Sequence, residues 1–142
     1  MSPETLARLY RRLEEHEDRR HRVYVDSRGN RTLGIGHLAE YGQDIALTDT
    51  AIDAILEGDV ADKIRLCERR LLCWPALDEV RQAACIELAF NGALFASPKA
   101  IAALNLGDYE EAARHLLDGP WKDQVGARAH VLARQIETGE WA

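Results

Sequence analysis

Within the stretch EDRRHRVYVDSRGNRTLGIGH, residues 17–37, three side chains have the types and spacing to cut a bond with water: Glu17, Asp26 and Thr32. A carboxyl group at the end of an apolar helix stripe can be held protonated as a general acid, because desolvation disfavours the charged form. A carboxylate and a hydroxyl flanking a nearby turn can hold a water molecule. Glycosidic bond hydrolysis needs those parts.

The elements around them are legible from local pattern. Ser2 followed by Pro3 suits a helix start, with Ser as N-cap and Pro at the first helical position, and Leu6, Leu9, Tyr10 and Leu13 then mark one face. That stripe continues to His16 and Glu17, so both are expected on the side facing the core. Residues 22–26 alternate, placing Val23 and Val25 on one face and Arg22, Tyr24 and Asp26 on the other. Ser27, Arg28, Gly29 and Asn30 form a turn in which Gly29 and Asn30 tolerate positive φ, and Thr32, Leu33 and Ile35 make the return strand. Asp26 and Thr32 are therefore expected to face each other across a short hairpin. Gly34 and Gly36 flank Ile35, which reads either as strand kinking or as backbone approaching a ligand closely.

Thr48 caps a long helix whose apolar positions Ile52, Leu56, Val60, Ile64, Cys67 and Leu71 keep helical spacing up to Pro75. The segment Leu77 to Phe90 becomes almost wholly apolar after Gln82, as the central helix of a bundle does. Ser97 with Pro98 starts a short helix stopped by Gly107. Asp108 and Glu111 have capping-box spacing before another, closed by Gly119 and Pro120, and a last helix carries Val125, Ala129, Leu132, Ala133 and Ile136 up to Gly139. The fold class expected is α+β and mainly helical, with a small hairpin-bearing N-terminal lobe joined by a long helix to a larger helical lobe.

A chain of 142 residues, 46% hydrophobic and 30% charged, supports one real core and no second large domain. No apolar run reaches membrane-spanning length and no export signal is visible, so neither membrane insertion nor self-directed export is expected. The net charge of -6 argues against nonspecific nucleic-acid binding, although its distribution is uneven. Residues 19–37 hold five arginines and one acid, whereas residues 41–62 carry Asp44, Asp49, Asp53, Glu57, Asp59 and Asp62 with no Lys or Arg. Both runs read as solvated surface, or the basic one as a cleft wall facing an anionic polymer. Cys67, Cys73 and Cys85 lack ligand spacing and read as reduced core thiols, not as nucleophiles or a metal site. Trp74, Trp121 and Trp141 fall at element ends and read as packing residues. No cofactor motif is present.

The pattern of Glu, eight residues, Asp, five residues, Thr, with the tail TLGIGHL, resembles the bacteriophage-type lysozymes of glycoside hydrolase family 24. AFNG at 89–92, LNLGDYEEAARHLLDGPW at 104–121 and QVGARAHVLARQIETGEW at 124–141 resemble the C-terminal helices of that family in order. The resemblance implies a single lysozyme-like domain over 1–142, with an N-terminal lobe to about residue 58, a connecting helix near 49–72 and a helical lobe from about 73. It implies a muramidase hydrolysing the β-1,4 bond between N-acetylmuramic acid and N-acetylglucosamine by inversion. Its partner would be the peptidoglycan glycan strand. The enzyme would be a monomer without cofactor or metal, held in the host cytoplasm until a holin releases it to the wall, or carried on a virion.

By position, Glu17 is implied as general acid, with Asp26 and Thr32 orienting water. Arg128 matches a family arginine near the acid and His37 a helper bracing the site. Leu38, Phe90, Asn91 and His115 match substrate-lining positions, while the hydroxyl residue expected after Asn91 has only Ser97 as a candidate. Asp18 stands where the family usually has Gly, placing a second carboxylate beside Glu17 unless Arg19 or Arg128 neutralises it. Two other readings remain: a lytic transglycosylase, which forms an anhydro product, and a catalytically weak wall-binding or tail-structural module on the same fold.

Overall fold

The computed structural model describes residues 1–39, 46–119, 122–123 and 126–142. Asp44, Pro120, Trp121 and Val125 lie outside the described residues. Among the described residues the chain is mainly helical with a small antiparallel sheet, consistent with an α+β lysozyme-like fold. It forms two compact units, Leu6–Asp62 and Lys63–Ala142, the second of which also includes Met1–Thr5.

In the first unit, helix α1 (Pro3–Glu17) leads into strands β1 (Arg20–Val25), β2 (Arg31–Gly34) and β3 (His37–Leu38), paired in the order β1-β2-β3. Pro3 opens α1 and the Ser2 hydroxyl accepts from the Thr5 amide at 3.2 Å, the expected capping arrangement. Leu9 and Leu13 are fully buried. His16, one position off that stripe, is exposed, whereas Glu17 is half-buried. The stripe of a straight helix is narrow, and its continuation passes through i+4 here, not i+3.

The hairpin forms, but the predicted alternation of β1 fails. Register pairs Arg20 with Gly34 and then Tyr24 with Thr32, so an irregularity lies between them and Val23 and Tyr24 are both half-buried. Val25 is 63% exposed, contrary to its expected burial, because the far side of the hairpin tip is uncovered. Gly29 takes the positive φ of the turn, and Asn30 does not. Ile35 is buried in a turn, not in the return strand, and β3 is an element that no local pattern announced.

Helix α2 (Asp49–Arg70) starts at Thr48, whose hydroxyl accepts from the Ala51 amide at 3.1 Å. Ile52, Leu56, Val60 and Cys67 are buried as their spacing predicts. The boundary between the two units falls inside this helix. Arg19 ties the end of α1 to the start of α2: its guanidinium meets Glu14 at 2.5 Å, Asp49 at 3.1 Å and Asp53 at 2.6 Å. The acidic run that looked like plain surface thus supplies two of the partners of one arginine.

The second unit continues through a 3-10 turn (Trp74–Ala76) into α3 (Glu79–Phe90), α4 (Pro98–Asn105), α5 (Tyr109–Asp118) and α6 (Ala127–Thr138). Asp78 caps α3 and Asp108 caps α5 through side-chain bonds to the third helical amide. Residues 83–89 of α3 are all buried, which makes it the central helix. Arg81 holds the end of α6 by donating to the carbonyls of Ile136 and Glu137 while stacking on Tyr109 at 3.7 Å. The Glu79 carboxylate accepts from the Ser2 and Thr5 hydroxyls at 2.8 and 2.6 Å, which joins the first residues to this unit. Among the described residues no helix is long and apolar enough to cross a membrane.

Asp18 is the one non-glycine residue with positive φ (63°) among those described. Asp tolerates this left-handed conformation better than most residues, at a cost of about 1 kcal/mol relative to Gly. Asp18→Gly is expected to leave stability unchanged or raise it by up to about 1 kcal/mol. Asp18→Val is expected to lower it by about 1–2 kcal/mol, since branching at Cβ worsens the same clash. Denaturant midpoints decide, and a Val variant as stable as the Gly variant would remove the constraint.

Candidate active site

Glu17, Asp26, Thr32, His37 and Leu38 all belong to the first unit. Glu17 is the last residue of α1, and the chain returns past it at Gly36. A Cβ built on Gly36 would lie 2.9 Å from the Glu17 carboxyl oxygen Oε2 and 3.0 Å from its Cγ. Gly36 also has φ +67°. The second glycine of GIG is therefore needed twice over, for its backbone angle and for the room it leaves to Glu17. The close approach anticipated there is to a side chain of the protein itself. Gly34 has φ +59°, but its Cβ would make only ordinary contact with Ile52.

Asp26 and Thr32 are not directly opposed. Thr32 faces Tyr24 in register, and the Asp26 amide donates to the Asn30 carbonyl at 2.9 Å. Because Asp26 is two residues beyond Tyr24, it shares the side of the pleat on which Thr32 lies and is its diagonal neighbour. Such diagonal pairs sit within reach of a shared small molecule. The Asp26 Oδ1 accepts from the amides of Asn30 at 2.8 Å and Arg28 at 2.9 Å. Those amide bonds, Asn30 foremost, hold its carboxyl below the usual carboxylate range, so it stays ionised. Thr32 is 3% exposed and its hydroxyl donates to the Asn30 carbonyl at 3.1 Å. With its proton so committed, the Thr32 oxygen meets a further partner as an acceptor.

Asp18 turns away from the role feared for it. Its Oδ1 accepts from the Arg19 amide at 2.9 Å, and its Oδ2 pairs with the Arg20 guanidinium at 3.1 Å. Arg20, not the Arg19 guanidinium, is the counter-ion, because Arg19 is engaged by Glu14, Asp49 and Asp53.

His37 pairs with Leu33 across β2 and β3, and its Nδ1 lies 2.9 and 3.0 Å from the two oxygens of Asp59 on α2. A ring nitrogen facing a carboxylate is a donor, so Nδ1 carries the proton and the ring orientation is fixed. Sequence reasoning missed Asp59 as this partner. The available signal was its place next to Val60 on the buried stripe of α2, an unusual position for a surface acid. Leu38 pairs with Thr32 and is 63% exposed, so it can offer apolar contact to a ligand.

Phe90, Asn91, His115 and Arg128 belong to the second unit. Phe90 ends α3 half-buried, with the Lys63 ammonium 5.7 Å from its ring. Asn91 caps α3, and its Oδ1 accepts from the Ala93 amide at 3.0 Å. His115 contacts Glu111 at 3.0 Å and Asp118 at 3.8 Å within α5. Arg128 lies 3.7 Å from Glu87, which is fully buried. Glu87 lies within the segment that the sequence reads as almost wholly apolar, and a carboxylate buried there needs such a cation. Ser97 precedes α4 without a side-chain capping bond.

The three cysteines are free thiols. Burial pushes the Cys67 thiol up to about 12 and Cys85 well above its ordinary value, and raises Cys73 as well. None is poised as a nucleophile. Among the described residues no group of three or more His, Cys, Asp or Glu could hold a metal ion.

Two measurements follow from this geometry. Gly36→Ala is expected to cost about 1–2 kcal/mol of stability through its left-handed backbone and to displace the Glu17 carboxyl. Retention of both full stability and full activity would contradict the close approach. In the native protein at about pH 8, a thiol reagent is expected to titrate Cys73 first, with Cys67 and Cys85 reacting only on unfolding. Fast reaction of all three would contradict their burial.

Residues 14–137 match the family model described as phage lysozyme. No curated protein matches the chain.

Proposed function

Because the chain belongs to the phage lysozyme family, glycoside hydrolase family 24, and that family supports a lysozyme acting on peptidoglycan, we propose that it is a muramidase using Glu17, Asp26 and Thr32. The bond cut is the β-1,4 link between N-acetylmuramic acid and N-acetylglucosamine. The observation that carries this reading is the Glu17 carboxyl lodged against Gly36, in the same unit as a sheet face bearing an ionised carboxylate and a proton-committed hydroxyl.

In the proposed reaction Glu17 delivers its proton to the leaving glycosidic oxygen as the bond to the anomeric carbon breaks. A water donates one hydrogen bond to the Thr32 oxygen and another to Asp26, which turns its lone pair toward the sugar. It adds from the opposite face, giving inversion, and its proton passes to Asp26. The amide bonds that keep Asp26 ionised also weaken it as a proton acceptor. Its charge therefore contributes mainly by orienting water and by stabilising the positive charge that develops on the ring. His37, held by Asp59, braces β3 behind Thr32. Leu38 on the first unit is assigned to the glycan, as are Phe90, Asn91 and His115 on the second, each unit taken by itself, whereas Arg128 serves the buried Glu87.

The glycan strand of peptidoglycan is the proposed partner of a monomeric enzyme. Release through a holin, or carriage on a virion, would bring it to the wall.

Glu17→Gln is expected to abolish glycan cleavage, by at least about 100-fold, while leaving the thermal transition in place. Mass spectrometry of digested peptidoglycan reads the chemistry directly. Reducing muramic ends support hydrolysis, anhydromuramic ends would transfer the assignment to a lytic transglycosylase, and no released ends would leave a wall-binding module. An active Glu17→Gln protein would remove Glu17 from the role of acid.

A further inference from the structure

Tyr24 is a residue to which neither the motif nor the proposed reaction gives a part, yet it is placed beside Glu17 and Thr32 and two residues before Asp26. In register it stands directly opposite Thr32, and it lies two residues before Asp26 on the same side of the strand. Its phenol oxygen is 3.5 Å from the backbone carbonyl of Glu17, a long contact in which only the phenol can donate. The Arg20 guanidinium lies over its ring, 4.9 Å from the centroid, and is itself held by the Asp18 carboxylate at 3.1 Å. The ring is thus clamped on one face, half-buried, with its hydroxyl at the terminus of α1 and its backbone in the ladder that carries Thr32.

We propose that Tyr24 is a positioning residue of this site: its clamped ring and its O–H fix the end of α1, and so the Glu17 carboxyl, relative to Asp26 and Thr32. The inference rests on the muramidase reading above. The reason one residue can do this is geometric. Glu17 is the last residue of α1, where the final carbonyls of a helix look outside it for donors, so a donor from the sheet fixes the position of that residue. Burial pushes the pKa of the phenol above its ordinary value, so it stays protonated and remains a donor across the working range of a hydrolase. Arg20 then has a role beyond neutralising Asp18, since it holds the Tyr24 ring against the strand.

The test compares kcat and KM of the parent, Tyr24→Phe and Tyr24→Leu on soluble glycan oligosaccharides, well below the thermal transition of each protein. Tyr24→Phe keeps the ring and loses only the O–H, and is expected to lower kcat about fivefold with KM little changed. Tyr24→Leu loses the ring as well, and is expected to lower kcat by on the order of 100-fold, again with little change in KM. A merely structural role would lower the transition temperature and leave kcat of the folded protein alone. Parent-like kcat in the Phe variant and, where it folds, the Leu variant overturns the proposal, as does a loss confined to KM. Should Tyr24→Leu fail to fold, the Phe variant decides. A parent enzyme that releases no glycan ends overturns the muramidase reading and this one together. An active parent with indifferent variants overturns only the role of Tyr24.

Discussion

Everything in the first unit depends on how abruptly α1 is made to end. A helix that places a half-buried carboxyl on its last residue must then turn into a strand within two residues, and the left-handed backbone at Asp18 performs that reversal. Its amide still bonds back to the Glu14 carbonyl at 2.9 Å, so the helix is closed and not frayed. Arg19, the next residue, collects carboxylates from both α1 and α2 and keeps the two helix ends together. Its charge is reinforced first by Glu14 and then by Asp53. The hairpin is thereby delivered to a fixed place, and Gly36 brings the returning chain against Glu17.

Much of this was legible along the chain because it is local. The apolar stripe led to Glu17, glycines and Asn marked the hairpin, and Thr48, Asp108 and Gly139 announced helix boundaries through capping chemistry that acts over three or four residues. What failed was whatever depended on register or on partners distant in sequence. The turn sets Thr32 opposite Tyr24 and Val25 lies exposed at the hairpin tip, while the irregularity between Arg20 and Tyr24 breaks an alternation that no periodicity of two can foresee to fail. Asp49 and Asp53 for Arg19, Asp59 for His37 and Glu87 for Arg128 lie tens of residues away and are chosen by packing, so composition could say that charges were present but not which would meet. The likeness to a family carried the site residues further than local chemistry could, while the reason for the second glycine of GIG came only with three-dimensional contact.

The second unit solves a different problem. Its central helix is nearly all apolar, yet it accepts Glu87 with no exposed surface because Arg128 on α6 lies close by. Such a pair adds little net stability over apolar packing, but removing one partner strands the other in a low-dielectric interior. It therefore fixes how α3 and α6 face each other more than how strongly they adhere. Arg81 does the same at the other end of the two helices, where its donors reach the last carbonyls of α6 and a Cβ on Gly139 would lie 2.6 Å from its guanidinium.

The three cysteines carry a consequence for where such a chain can mature. Each is a free thiol, two are buried among apolar neighbours, and burial keeps all three protonated. No covalent cross-link between them contributes to the fold, so its attainment requires neither an oxidant nor an isomerase, and a change of redox surroundings finds little thiolate to act on. The molecule can be synthesised under reducing conditions and transferred to oxidising ones as the same covalent species, which frees its folding from any dependence on the redox poise of the place where it will act.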